Sequence, residues 1–249
     1  MSPPTLRRRI LNAHRQLVKL YGEPKHRPRR DALSLLIATI LSQNTSDVNA
    51  ARAFDNLRAQ FPTWEAVRDA PTRAVVRAIR SAGLANTKAP RIQAILRQLT
   101  TQHHVEENKT QLDSRMSRDS ASGRERGSLS LDFLRALPVG EAKAYLLRLK
   151  GVGPKTASIV LLFTFGMPAF PVDTHIFRVT KRLGWIEPRA SREQAHAILE
   201  SLIPSEIYYP LHLNLIRLGR EICPARKPRC EACPLTDLCE YYAKVRGMK

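Results

Sequence analysis

Leu146-Leu147-Arg148-Leu149-Lys150-Gly151-Val152-Gly153-Pro154-Lys155-Thr156-Ala157 is the stretch on which the reading of the whole chain turns. Its apolar start predicts a helix, Gly151 and Gly153 a tight hairpin, and Pro154 the first turn of a second helix, where a missing N–H does no harm. In such a helix-hairpin-helix the glycines let the backbone approach a phosphate, and the free N–H groups at the next helix start donate to it without reading a base. The spacing therefore implies sequence-independent DNA contact at Gly151 and Gly153. A plain turn between helices also uses two glycines. The Pro-Lys-Thr-Ala that follows and the charge of the chain argue against it.

Lysine and arginine number 41 against 22 acidic residues, a formal charge of +19 over 249 residues, which points to a phosphate-rich partner. With 43% hydrophobic and 25% charged residues the basicity belongs to a folded protein and not to a disordered tail. The longest uncharged stretch, Thr156 to Val172, is broken by Gly166, Pro168 and Pro171 and falls short of the roughly 20 apolar residues of a membrane span, so no membrane partner is expected. The Arg-rich segment Met1 to Tyr21 places Leu6, Ile10, Leu17 and Leu20 near helical spacing and predicts a structural helix. It lacks the apolar core of a signal peptide, which implies a reducing compartment.

Apolar spacing of three and four with short Gly, Pro and Asn punctuation predicts an all-α protein. One helix holds Leu33, Leu35, Leu36, Ile37, Ile40 and Leu41, and the polar turn Gln43-Asn44-Thr45-Ser46 leads to a second carrying Val48, Ala51, Phe54 and Leu57. Ser191 and Gln194 stand in capping-box register. Residues 103–130 are Ser, Arg, Asp and Gly-rich with little to bury, and read as a flexible surface insertion.

Lys155 lies in the first turn of the helix after the hairpin, where a lysine serves either as a Schiff-base nucleophile or as a phosphate contact. Asp173 in Pro171-Val172-Asp173-Thr174-His175-Ile176-Phe177-Arg178-Val179 opens another helix as an N-cap, and the proline-pinned return can bring its carboxylate toward Lys155. All four cysteines, Cys223, Cys230, Cys233 and Cys239, fall near one end of the sequence. Four clustered thiols predict a metal site, and their spacing leaves zinc and an iron–sulfur cluster equally open. Arg226, Lys227 and Arg229 project from the loop between the first two thiols.

Taken in this order, Leu-Lys-Gly-Val-Gly-Pro-Lys-Thr-Ala at 149–157, Pro-Val-Asp-Thr-His-Ile-Phe-Arg-Val at 171–179 and the cysteine array closely resemble the endonuclease III family of DNA glycosylases. The resemblance covers nearly the whole chain outside the 103–130 insertion. It implies an all-α, two-domain helix-hairpin-helix glycosylase fold: a six-helix barrel over 26–167, and a cluster domain made of 1–25 with 168–249. It also implies that the cysteines bind a 4Fe-4S cluster, that Lys155 is the Schiff-base lysine and that Asp173 is the catalytic aspartate. Gln43 or Asn44 would fill the gap left by a flipped nucleotide, and Arg178 would join Arg226, Lys227 and Arg229 at the DNA. Lys150 departs from the proline that many relatives carry before Gly-Val-Gly.

The function implied is a bifunctional glycosylase and apurinic/apyrimidinic lyase removing oxidised pyrimidines from damaged duplex DNA, as a monomer in the cytoplasm, at the nucleoid, of a bacterium or archaeon. Two other readings are a monofunctional adenine or thymine mismatch glycosylase, against which Lys155 argues, and a non-enzymatic DNA-binding module with structural zinc.

Overall fold

The computed structural model describes residues 3–28, 30–114, 129–245 and 247, and every regular element among them is helical. The α-helices are α1 (Pro3–Tyr21), α2 (Ala32–Leu41), α3 (Asp47–Gln60), α4 (Trp64–Asp69), α5 (Thr72–Ala78), α6 (Ala85–Ser114), α7 (Val139–Leu147), α8 (Pro154–Val160), α9 (Thr174–Arg182), α10 (Arg192–Leu202), α11 (Tyr208–Glu221) and α12 (Glu240–Val245). The chain divides into two compact units, Arg30–Gly153 on the one hand and Met1–Arg29 with Pro154–Lys249 on the other. The division falls inside the hairpin motif, ahead of residue 167, because α8 packs against α10.

In the unit Arg30–Gly153, α6 packs against α2, α4 and α5. Asp31 starts α2 by accepting from the Ser34 N–H at 2.8 Å, and the nearly all-apolar helix that follows buries Leu33, Leu36, Ile37, Ile40 and Leu41 completely. The inward face of α6 carries Ile92, Ile95, Leu96 and Leu99 at helical spacing, together with the buried polar residues Lys88 and Gln93. The Gln93 amide donates to the Val67 and Ala70 carbonyls at 3.0 and 2.7 Å and accepts from the Thr72 hydroxyl at 2.7 Å. It thereby satisfies carbonyls that the end of α4 leaves without helical partners.

The expected insertion is corrected in part. Residues 103–114 continue α6, and 115–128 lie outside the described residues. The stretch 103–114 contains neither glycine nor proline and includes Glu, Gln, Lys and Leu, good helix formers that need no apolar partner to hold a helical backbone. At its far end Leu129 is buried and its N–H donates to Glu65 Oε1 at 2.8 Å.

The other unit is centred on α11, which packs against α9 and α1. Ile10 and Leu17 of α1 are fully buried with Phe170, Ile176, Leu211 and Leu215, whereas Leu20 is 48% exposed and Ala13 takes the inward place between the other two. Arg9 of α1 donates to the Leu238 carbonyl at 2.7 Å, and Asn214 of α11 donates to the Gly22 carbonyl at 3.0 Å, so the first helix is fastened at both ends. Ser191 and Gln194 form the anticipated capping box of α10. Among the described residues no helix is long and apolar enough to cross a membrane.

Candidate active site and cysteine pocket

α8 buries Thr156, Ala157, Ser158 and Val160 and leaves Lys155 exposed in its first turn. After Val160 the chain widens into a π-helical turn, Leu161–Phe165, ended by Gly166 in the left-handed region at φ +68°. It returns through buried Phe170, Pro171 and Val172 to Asp173, whose backbone is extended and whose Oδ1 accepts from the Ile176 N–H at 2.7 Å. Asp173 is thus the N-cap that its position predicts. Its other carboxylate oxygen makes no hydrogen bond among the described residues, and Asp173 and Lys155 form no ion pair within 4 Å.

One buried side chain, His212 of α11, sits close enough to feel both groups. Its Nδ1 lies 3.0 Å from the Pro171 carbonyl, which can only accept, so Nδ1 carries the proton. Phe163 and Phe170 meet the ring edge-on at centroid distances of 5.3 and 6.0 Å. Burial pushes its pKa down to about 4, against the opposing pull of the Asp173 charge and the Pro171 hydrogen bond, while Lys155 pushes it further down. His212 therefore backs the site as a neutral donor that fixes the segment leading to Asp173.

A consequence for stability follows. As pH falls below 6.5 the unfolded chain protonates this histidine while the folded chain holds it neutral to about 4. Stability is then full above pH 6.5 and declines toward pH 4, by up to about 3 kcal/mol from this residue. Buried His14, also shifted down by desolvation, adds to the decline in the same direction. Urea midpoints at pH 7.5 and 5 should differ clearly less for His212→Asn, which keeps a donor for Pro171, than for the wild type; an unchanged difference would disprove the assignment.

Within Arg30–Gly153, the Gln43-Asn44 turn follows α2 directly. Lys88, only 2% exposed, donates to the carbonyls of Leu41, Gln43 and Ala82 at 2.7, 2.6 and 2.9 Å. Gln43 is half-buried, and its Oε1 accepts from Arg91 at 3.0 Å. Asn44 is exposed at φ +54°. Leu84 is also left-handed, at φ +50°, and 59% exposed. In the hairpin, Gly151 has φ +81° and the Arg91 side chain lies against it, so that a Cβ there would come within 2.5 Å of Arg91 Cδ, whereas Gly153 is open.

The four cysteines line one pocket with Arg182, Ile222 and Tyr241 among its walls. Among the described residues no three His, Cys, Asp or Glu side chains converge as a single metal ion requires. Thiols ringing a cavity suit a cluster, whose several irons each take one sulfur, better than one zinc. Burial and the neighbouring thiols push the Cys233 pKa up to about 11, so these sulfurs need the positive charge that such a group returns. Arg182 donates to Cys223 Sγ at 3.0 Å and to the carbonyls of Pro224 and Ala225 at 2.8 and 3.0 Å, which fixes the start of the loop. Arg226, Lys227 and Arg229 are exposed on that loop. Arg178 points inward: it donates to the carbonyls of Gly219 and Cys223 at 2.8 and 3.1 Å and lies 3.1 Å from His175 Nδ1.

Lys88, Arg91, His212 and Leu84 were not singled out by the sequence. Lys88 carried a signal, since a lysine on the helix face of Ile92, Ile95 and Leu99 must either be exposed there or cap something.

Residues 37–205 match the HhH-GPD superfamily base excision DNA repair protein, and residues 223–239 the iron–sulfur binding domain of endonuclease III. Endonuclease III of Thermotoga maritima is 32% identical over 230 residues, covering 92% of each chain. A glycosylase-like protein of Arabidopsis thaliana is 38% identical over 80% of this chain, which spans 64% of that longer protein. A trapped endonuclease III–DNA covalent intermediate superposes with a TM-score of 0.73 at 28% identity, covering 96% of this chain and 98% of that one. With the hairpin lysine, the capping aspartate and a cysteine-lined pocket in place, the chain belongs to the HhH-GPD superfamily of base excision DNA repair proteins and carries the iron–sulfur domain of endonuclease III.

Proposed function

We propose that this protein is a bifunctional DNA glycosylase and apurinic/apyrimidinic lyase acting, as a monomer on nucleoid DNA in the cytoplasm, on oxidised pyrimidines in duplex DNA. The observation that carries the reading is His212, a single buried side chain within electrostatic reach of both Lys155 and Asp173. An exposed amine and a carboxylate with a spare oxygen both act on that imidazole, which supports their working together.

A base inside the stack shields its sugar, so the damaged nucleotide is first turned out of the duplex, most cheaply where damage has weakened its pairing. The Lys155 amine, after losing a proton, attacks the anomeric carbon as the bond to the base breaks, and the base leaves with the bonding pair. Asp173 stabilises the positive charge that develops at that carbon and takes up an amine proton. Opening of the sugar gives an imine, whose α-proton loss expels the 3′ phosphate. On the binding side, the open hairpin at Gly153 receives phosphate, and Arg226, Lys227 and Arg229 add charge without base readout. Leu84, flanked by Arg77 and Arg80, has the exposure of an apolar wedge between base steps. Cys223, Cys230, Cys233 and Cys239 hold the 4Fe-4S cluster, which stiffens that basic loop.

The test is a panel of duplexes bearing single thymine glycol, dihydrouracil, abasic, G·T and A·8-oxoguanine sites. Excision with strand cleavage at the first two, and cleavage at the abasic site, is the expected pattern. Release of adenine or thymine from the mismatches without cleavage would replace this reading by a monofunctional one.

A further inference from the structure

Two arginines hold the cysteine pocket from outside, one at each end of the run of thiols. Arg182 of α9 holds the Cys223 end, through that sulfur and the Pro224 and Ala225 carbonyls. Arg9 of α1 holds the Cys239 end. Its Nη2 donates to the Leu238 carbonyl at 2.7 Å and its Nη1 lies 3.9 Å from the Glu240 carboxylate, so one guanidinium reaches the residue before Cys239 and the residue after it. The Leu238 carbonyl shares a peptide plane with the Cys239 N–H, and a bond to one end of a rigid plane orients the other. Glu240 lies against Gly184, where φ is +74° and a Cβ would run into the carboxylate.

The backbone secures Cys239 less well than Cys223. The Cys223 N–H donates to the Leu218 carbonyl of α11 at 2.7 Å, and the neighbouring Ile222 carbonyl accepts from the Arg229 N–H at 2.8 Å, next to Cys230. The Cys239 N–H donates to Thr236 and its carbonyl accepts from Ala243, both at 3.1 Å, bonds that stay within residues 236–243 and fix no position relative to the other thiols. The Cys239 thiol also reaches the Arg182 carbonyl at 3.4 Å, but a sulfur that binds iron has lost its proton and donates nothing. The Arg9 bond needs no such proton. The Arg9 side chain is 22% exposed, so water competes weakly for its acceptor.

We propose that Arg9 is a positioning residue for Cys239, and that by gripping the residues on both sides of that ligand it makes α1 a strap governing how long the protein keeps its 4Fe-4S cluster. This rests on the reading of the four cysteines as the cluster's ligands. The planar fork of arginine presents N–H groups in two directions and can serve a carbonyl and a carboxylate together, which the single ammonium of lysine does less well. A helix that brings no cysteine of its own thereby sets the place of one ligand.

The experiment uses the full chain, purified anaerobically with its cluster. Iron release to a strong ferrous chelator and loss of the cluster's visible absorption are followed in wild type, Arg9→Met, Arg9→Lys, Glu240→Gln and Leu17→Ala, well below every melting temperature. Arg9→Met keeps most of the apolar stem and should release iron about 10-fold faster, as expected for loss of a charge-assisted hydrogen bond. Arg9→Lys should recover part of that, to about 3-fold. Glu240→Gln should stay within about twofold of wild type, because the ion pair is long and the Glu240 side chain is 42% exposed. Leu17→Ala leaves a cavity under α1 two turns away and lowers the melting temperature more than Arg9→Met does, yet keeps the grip and should release iron within about twofold of the wild-type rate. A wild-type release rate in Arg9→Met would overturn the proposal. So would release from Leu17→Ala as fast as from Arg9→Met, which would make α1 a contributor to general stability alone. Wild-type protein isolated with zinc and no iron would instead remove the cluster reading, and this role with it.

Discussion

Lys155→Gln should abolish covalent trapping: borohydride added to wild-type protein on lesion DNA yields an adduct stable to denaturing electrophoresis, and the variant yields none. Glutamine has no amine to form the imine that borohydride reduces. The substitution is clean for a structural reason. Lys155 is exposed, while the helix bearing it is anchored by Thr156, Ala157, Ser158 and Val160 on the opposite side. A surface change of this kind leaves the melting temperature nearly unaltered. DNA binding should persist with one phosphate contact fewer at most, so loss of the adduct and of strand cleavage reports chemistry alone. Efficient trapping by Lys155→Gln would move the nucleophile elsewhere and leave Lys155 as a phosphate ligand.

Asp173→Asn separates two duties of one residue. Asparagine caps helices about as well as aspartate, so the bond to the Ile176 N–H and the start of α9 should survive. What disappears is the negative charge beside the reacting sugar. Base excision should therefore fall by about 100-fold or more while DNA affinity and melting temperature hold. Asp173→Ala supplies the contrast, since it removes cap and charge together and should cost about 1 kcal/mol of stability in addition. Single-turnover excision and thermal melting of both variants decide the matter. Full excision by Asp173→Asn would reduce Asp173 to its capping role.

The parts of this molecule that were legible in its sequence are those fixed by local chemistry. Gly151-Val152-Gly153-Pro154 dictates a turn and a helix start whatever surrounds it, and Ser191 with Gln194 closes a capping box over three residues. The cysteines reveal a metal group by being confined to one segment; their spacing leaves zinc open, and iron–sulfur follows from the family resemblance, which the match to the endonuclease III domain supports. Residues whose meaning depends on distant carbonyls stayed hidden. His212 reaches Pro171 across 41 positions and Lys88 reaches Leu41 across 47. Arg178, which the resemblance places at the DNA, donates to backbone oxygens from α11 and the loop after it, contacts no local pattern foretells. In the 103–130 region, composition could not tell that a helix continues to Ser114 or that Leu129 is buried.

The fastening of α1 bears on how the molecule is made. Arg9 and Leu238, joined by a hydrogen bond, are 229 positions apart, so that bond can form only after the intervening chain has been made. The unit Arg30–Gly153 is contiguous and can fold as soon as it emerges. Until the second half arrives, α1 waits with Ile10 and Leu17 uncovered. Its docking is also tied to the cysteine-bearing segment around Leu238, so maturation of the metal site and burial of the first helix become a single event. Chains made short of iron should then keep Ile10 and Leu17 uncovered for longer, and be more open to aggregation and proteases.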